Sequence, residues 1–311
     1  MTSIRIPPPH SWNRFFRAAG GGLRVASLAA WIGITLLLAS DVDAQPSPRR
    51  VVSLVPSATE ALFAMGVGSR LVGVGSYDTF PPEVQRLPRV GALLDPDIER
   101  ILALKPDLMV CYASQVDLQT QLSRVGISLF RYKHGSLADV VSTIRQLGVA
   151  IGAPAEAEAL ASSIDRDLEA VRARAAGLTR PRVMLVIGRE SRSLRTISVS
   201  GGYGFLHDLV ELAGGVNVFG EIKRESLNIN TETVLARAPD VILELRYSGS
   251  GSPRELDRER RVWEALPGVP AVRTRRVHVL FGGELVIPGP RVVRTASVFA
   301  AAIHAAGAAT R

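Results

Sequence analysis

One segment of this chain occurs twice, and its recurrence limits the fold more than any other feature. Asp95-Pro-Asp-Ile-Glu99-Arg-Ile-Leu-Ala-Leu-Lys-Pro106-Asp107 aligns without gaps on Asn228-Ile-Asn-Thr-Glu232-Thr-Val-Leu-Ala-Arg-Ala-Pro239-Asp240, and five of the nine positions from glutamate to aspartate are identical. In each copy a cap candidate, Asp95 or Asn228, stands four residues before the glutamate, and an apolar strand follows the aspartate. A helix start, a proline stop and a strand in the same register predict two related lobes.

The surrounding pattern extends that expectation. Apolar strands are expected at 50–54, 71–74, 108–112 and 127–132, with helices between them, one opened by a capping box at Ser57-Ala58-Thr59-Glu60. The order restarts at strand 183–187 and helix 205–213. Strands alternating with helices predict an α/β protein of two doubly wound lobes with parallel sheets. Between the halves, 136–150 and 155–176 read as helices, the second with Ala157, Leu160, Ala161, Ile164, Leu168 and Val171 as its apolar stripe. The expected organisation is therefore a lobe at 50–152, a long linker helix at 153–179 and a second lobe at 180–308, with small motions about a cleft between the lobes.

Residues 1–44 read as a removable signal peptide. Four arginines precede fifteen uncharged residues, Val25 to Ala39, and Val42-Asp43-Ala44 offers a cleavage site before Gln45. Fifteen residues fall short of the ~20 that span a bilayer. The single cysteine, Cys111, does not follow the cut, so no lipid attachment is expected there, and it cannot form a disulfide within the chain. The expected location is periplasmic, with Cys111 sheltered in the strand 108–112.

Charge and motifs then narrow the chemistry. The basic residues number 37 against 29 acidic, but only three are lysine and none form a block with interleaved aromatics, so a solvated surface is read in place of a nucleic-acid site. No Gly-x-Ser-x-Gly elbow, Walker loop or His-Glu-x-x-His occurs, and His134, His207, His278 and His304 lack short metal-ligand spacing. A periplasmic enzyme and a metal-ion binding protein stay as alternatives of another class, and a scavenger of the same fold that needs no membrane partner as a third.

Four stretches together resemble a known family: Val52 to Glu60, Gly75-Ser76-Tyr77-Asp78-Thr79-Phe80-Pro81-Pro82, the two glutamate-to-Pro-Asp repeats, and Pro288-Gly289-Pro290-Arg291. They resemble the periplasmic substrate-binding proteins of cobalamin, iron-siderophore and haem importers, the helical-backbone class, and look most like its cobalamin-binding branch. The resemblance implies a monomeric receptor, without enzymatic activity or cofactor of its own. It would bind a metal chelate between its lobes and touch the membrane only through an ABC permease with its ATPase. It also implies that Glu99 and Glu232 dock on that permease. For the cleft, the carboxyl ends of the strands point to Tyr77 and Tyr112, with Pro56 and Ser57 at a strand-to-helix turn, and to Tyr203 in the second lobe. Cobalamin is the expected ligand, with haem or a ferric siderophore as the alternative. The cobalamin branch lines its cleft with tryptophans, whereas only Trp263 follows the expected cut. Arg131 and Arg291 would serve an anionic chelate, although Arg291 is expected first to cap the start of the last helix.

Overall fold

A computed structural model describes residues 47–305, so the expected export segment and its cleavage site lie outside the described residues. The described residues form two sheets. The first is parallel throughout in the order β2-β1-β3-β4, formed by β1 (Val51–Ser53), β2 (Leu71–Val74), β3 (Leu108–Tyr112) and β4 (Ser128–Tyr132). The second has the order β10-β9-β5-β6-β8, from β5 (Arg182–Arg189), β6 (Ile197–Ser200), β8 (Ser226–Ile229), β9 (Val241–Arg246) and β10 (Val277–Phe281), with the short β7 (Val216–Asn217) against the start of β5.

The parallel sheet expected in the second lobe is corrected to a mixed one. β10, β9 and β5 run parallel, but β6 is antiparallel to both β5 and β8. The connection at 190–196 is too short for the helical crossover that a parallel neighbour requires, so the chain turns back on itself.

Side-chain alternation explains how the sheets are covered. In β1, β3, β5 and β9, Val51, Leu108, Val110, Val183, Leu185, Val241 and Leu243 face one continuous core with the helices Leu137–Ile151, Pro154–Ala175 and Val292–Ile303. Their neighbours Val52, Met109 and Cys111 face a separate core under the first sheet, and Met184, Val186 and Ile242 another under the second. Strands buried on both faces read as apolar runs, broken here only in β9 by the buried Glu244. The inner core is shared by both lobes. Gly152, with φ 70°, caps the first of the two central helices in the left-handed conformation, and Pro154 opens the next.

The repeat is a structural unit with its own logic. Helix caps expected at Asp95 and Asn228 fall two residues later, at Asp97 and Asn230, whose side chains accept from the Arg100 and Thr233 amides at 2.9 Å each. Asp95 and Pro96 are occupied in a tight bridge to Gly91 and Ala92, and Asn228 lies in β8 opposite Ser198, so neither is free to cap. Both helices then end through a residue with positive φ, Lys105 (47°) and Ala238 (43°), at matched positions. Such a left-handed residue costs ~1 to 2 kcal/mol without glycine. A following clamp offsets it. Asp107 accepts from the Arg49 and Arg50 amides at 2.8 and 2.9 Å, and Asp240 from the Arg182 amide at 3.0 Å, fixing the starts of β1 and β5. Reciprocally, the Arg50 guanidinium donates to the Leu104 carbonyl and that of Arg182 to the Arg237 carbonyl, satisfying helix ends that lack partners.

Candidate functional site

The carboxyl ends of the first sheet's parallel strands supply the side chains of the cleft. β1 runs into helix Pro56–Ala64, with Pro56 at its first position. The expected capping box there is not formed: Val55 is the N-cap and makes no side-chain bond, while Thr59 and Glu60 point into the interior and are buried. Ser57 is buried as well, close to the Tyr132 hydroxyl at the end of β4.

Three aromatic rings meet at this edge. Tyr112, ending β3, stacks on His134 with centroids 5.7 Å apart, and Tyr132 meets both edge-on, at 5.6 and 5.1 Å. Edge-on and offset contacts of this kind favour a fixed aromatic surface over a mobile one. Burial pushes the Tyr112 hydroxyl up to about 12, with Tyr132 and Asp78 adding to the shift, and burial likewise raises that of Tyr132. Both are therefore neutral hydrogen-bonding groups at physiological pH.

The second lobe reaches this surface through Tyr203. With Arg131, Tyr132, Lys133 and His134 it lines a cavity of about 300 Å³, and it is 45% exposed there. Two contacts hold the lobes at this point: the Phe205 amide donates to the Gly135 carbonyl at 3.0 Å, and the Leu137 amide to Asp208 Oδ2 at 2.7 Å. The structure thus brings Ser57, Tyr112 and Tyr203 around Tyr132 and His134. Tyr77 is not among them. It stands 75% exposed on the loop after β2.

A larger groove, about 570 Å³, runs beside the central helices and is lined by Asp165, Glu169, Arg172, Asp208 and Glu211. It holds no aromatic ring, and its charges serve the fold: Arg172 pairs with Glu169 at 2.6 Å, Asp165 with Arg145 and Glu211 with Arg180. The smaller cavity, where the rings of Tyr132, His134 and Tyr203 meet the polar side chains of Arg131, Lys133, Asp139 and Gln146, is the candidate site.

Beneath the first-lobe edge lies a buried ionic group that sequence reasoning missed. Arg291 donates to both oxygens of Glu60, at 2.9 and 2.6 Å, and its guanidinium lies 4.1 Å over the Phe80 ring. This corrects the expectation that Arg291 caps the last helix: it occupies the N-cap position but uses its side chain to tie the two lobes together. Asp78 is also buried, 1% exposed, near Thr59, Gly75 and Arg89. Neither of its oxygens closes a well-formed hydrogen bond among the described residues, and burial raises its pKa to about 6 against the smaller opposing effects of Thr59, Gly75 and Arg89.

Trp263 is fully buried and takes no part in the cleft. Its indole donates to Glu244 at 2.8 Å, within a cluster where Arg189 bridges Glu244 and Glu259 at 3.0 Å each. Glu99 and Glu232 occupy the first turns of the two repeat helices, are exposed, and form no ion pair among the described residues.

Tyr132 and His134 had a sequence signal, since both stand at the end of a strand in the parallel order. Glu60 and Arg291 had none, being far apart in the chain and joined only by the meeting of the lobes.

The sequence matches the family described as periplasmic binding protein over residues 51–281. It is 31% identical over 241 residues to the vitamin B12-binding protein of Salmonella typhimurium, covering 77% of this chain and 86% of that one. Among solved structures, the periplasmic heme-binding protein RhuT from Roseiflexus sp. RS-1 superposes with TM-score 0.69 at 28% identity, covering 82% of this chain and 98% of that one. The periplasmic vitamin B12 binding protein BtuF of Vibrio cholerae gives TM-score 0.69 at 24% identity, over 83% and 97%, a likeness of fold.

Proposed function

This chain belongs to the periplasmic binding protein family, and from that premise we propose that it captures cobalamin and presents it to the permease of an ABC importer. The observation that carries the reading is the cavity that Tyr132 and His134 share with Tyr203 of the opposite lobe, with Tyr112 stacked on His134 beside it. Rigid aromatic faces suit a planar metal chelate, and neutral tyrosine hydroxyls suit its amide side chains. The ordered contacts between the lobes keep the site preformed, which lowers the entropic cost of binding. Similarity to the Salmonella vitamin B12-binding protein supports the same ligand. The cleft needs no cofactor and performs no chemistry. Tyr77, on its exposed loop, closes over the ligand from the first lobe, and Pro56 and Ser57 border it.

The protein is exported by its amino-terminal segment, cut after Ala44, and acts as a monomer in the periplasm. Among the described residues no helix is long and apolar enough to cross a membrane. Glu99 and Glu232, unpaired and one in each lobe, dock on arginines of the permease, which works with its ATPase.

Haem is the second reading, favoured by the tyrosines and histidine available as axial donors and by the likeness to the Roseiflexus protein. Calorimetric titration of residues 45–311 separates the two. One-to-one binding of cyanocobalamin is expected; no heat with cyanocobalamin and tight binding of haemin would replace the first reading by the second. Calorimetry is preferable to fluorescence, because Trp263 is buried away from the cavity.

A further inference from the structure

The repeat contains five identical positions from glutamate to aspartate, and the fold accounts for two of them. Pro106 and Pro239 are buried, and Asp107 and Asp240 clamp the strand starts. The other three pairs, Glu99 and Glu232, Leu102 and Leu235, Ala103 and Ala236, all face solvent. The leucines are 39% and 45% exposed. The inner side of each helix is anchored by a different residue, Ile101 or Val234, each fully buried.

Residues at i, i+3 and i+4 share one face of a helix. Each lobe therefore shows solvent the same composite surface, a carboxylate set above a leucine and an alanine. A single exposed leucine needs no explanation. The same carboxylate, leucine and alanine at the same positions in two lobes, each leucine outside the buried cores though partly covered by its own lobe, form two like patches on one molecule. A partner with two like halves can engage both at once.

We propose that Leu102 and Leu235, flanked by Ala103 and Ala236, are apolar contact points for a two-fold-related permease, which sets an apolar pocket beside each cation that meets Glu99 and Glu232. The inference rests on the docking reading above and adds its apolar half. The two components divide the work. The unpaired carboxylates steer encounter and fix register, which makes association depend on salt, whereas the leucines lose water only on contact and so govern how long the complex lasts.

The test uses the mature chain against the permease–ATPase complex of its own importer in nanodiscs, with cyanocobalamin titration and urea unfolding as controls. Leu102→Ser and Leu235→Ser are each expected to weaken the complex about tenfold, chiefly through faster dissociation and equally at low and high salt. Leu102→Met and Leu235→Met are expected to restore binding to within about twofold. Glu99→Gln with Glu232→Gln should instead slow association and flatten its salt dependence. All variants should keep the wild-type cyanocobalamin affinity, because the substituted side chains do not line the cavity, and the serine variants, whose leucines are partly covered, should lower the urea midpoint by no more than about 0.3 M each. Wild-type permease binding by the double serine variant, with binding lost in the double glutamine variant, overturns this inference and leaves the docking reading intact. Wild-type binding by both double variants overturns the two together.

Discussion

Replacing Asp78 by asparagine should stabilise the protein at neutral pH and do nothing in acid. The carboxyl group is almost fully enclosed, beside the buried Glu60, and burial holds its pKa at about 6 against 3.8 for the free side chain. A carboxyl whose folded pKa is raised favours the native state while both states are protonated, and that contribution is lost as pH rises. Below about 4 the aspartate is neutral in the folded and unfolded chains and exacts no penalty. Between about 4 and 6 the unfolded chain ionises first, so stability falls with increasing pH; above about 6.5 the full penalty is present. Two pKa units at 1.36 kcal/mol each correspond to about 3 kcal/mol. For a chain of this size that is a rise of roughly 1 M in the urea midpoint of the Asp78→Asn variant at pH 8. Urea unfolding of both proteins at intervals from pH 4 to pH 8 measures it. The difference should open between pH 4 and 6.5 and then stay level. A difference of constant size across that range, or a less stable variant at pH 8, would show that Asp78 is ionised at little cost and that the argument from burial fails. Glu60 and Arg89 are the charged groups that act on it, and its own charge acts in turn on Tyr112.

Three further outcomes are expected. Arg291→Met leaves Glu60 buried without its partner and should lower stability by about 3 kcal/mol, whereas Glu60→Leu with Arg291→Met should lie near wild type; equal losses in both would mean that packing, not charge, is at stake. Burial pushes the Cys111 thiol up to about 11, so a disulfide reagent at pH 8 should leave it untouched in the native protein and modify it rapidly in 6 M guanidinium; rapid native reaction would contradict its enclosure. Asp107→Ala and Asp240→Ala should each cost about 1 to 2 kcal/mol in thermal or urea unfolding, and the double variant their sum, because the clamps lie in different lobes and share no partner. Marked non-additivity would mean that the lobes communicate through the repeat.

Much of the fold was legible in local pattern, and the errors have local causes. Strand and helix alternation was visible because buried parallel strands are apolar runs bounded by helix signals. The repeat was legible as a repeat, yet its caps were placed two residues early. Proline after aspartate resembles a helix start, and only tertiary structure reveals that Asp95 and Pro96 bridge back to Gly91 and Ala92. The antiparallel β6 had a signal in the brevity of 190–196, which leaves no room for a crossover. At the cleft, Tyr112 and Tyr203 could be read from strand ends and a glycine-rich turn. Tyr132 and His134 stand at a strand end by the same rule, but the absence of metal-ligand spacing around His134 speaks only against a metal site and says nothing of its stacking on Tyr112. Asp78 and the pairing of Glu60 with Arg291 were beyond local reading, since burial and long-range contact belong to the assembled molecule.

The continuous core that both sheets share with the central helices has a consequence for how such a receptor can be altered. Duplication is written into the topology, but autonomy is not. A lobe produced alone would keep the helices of its own half on the inner face of its sheet, such as Leu137–Ile151 beside Val51, Leu108 and Val110, but would lose the other half's share of the core and expose the apolar residues that met it. The two halves therefore form a single cooperative unit, and recombining one lobe with the partner lobe of a relative succeeds only if the central helices and the inward residues of both sheets are exchanged as a set.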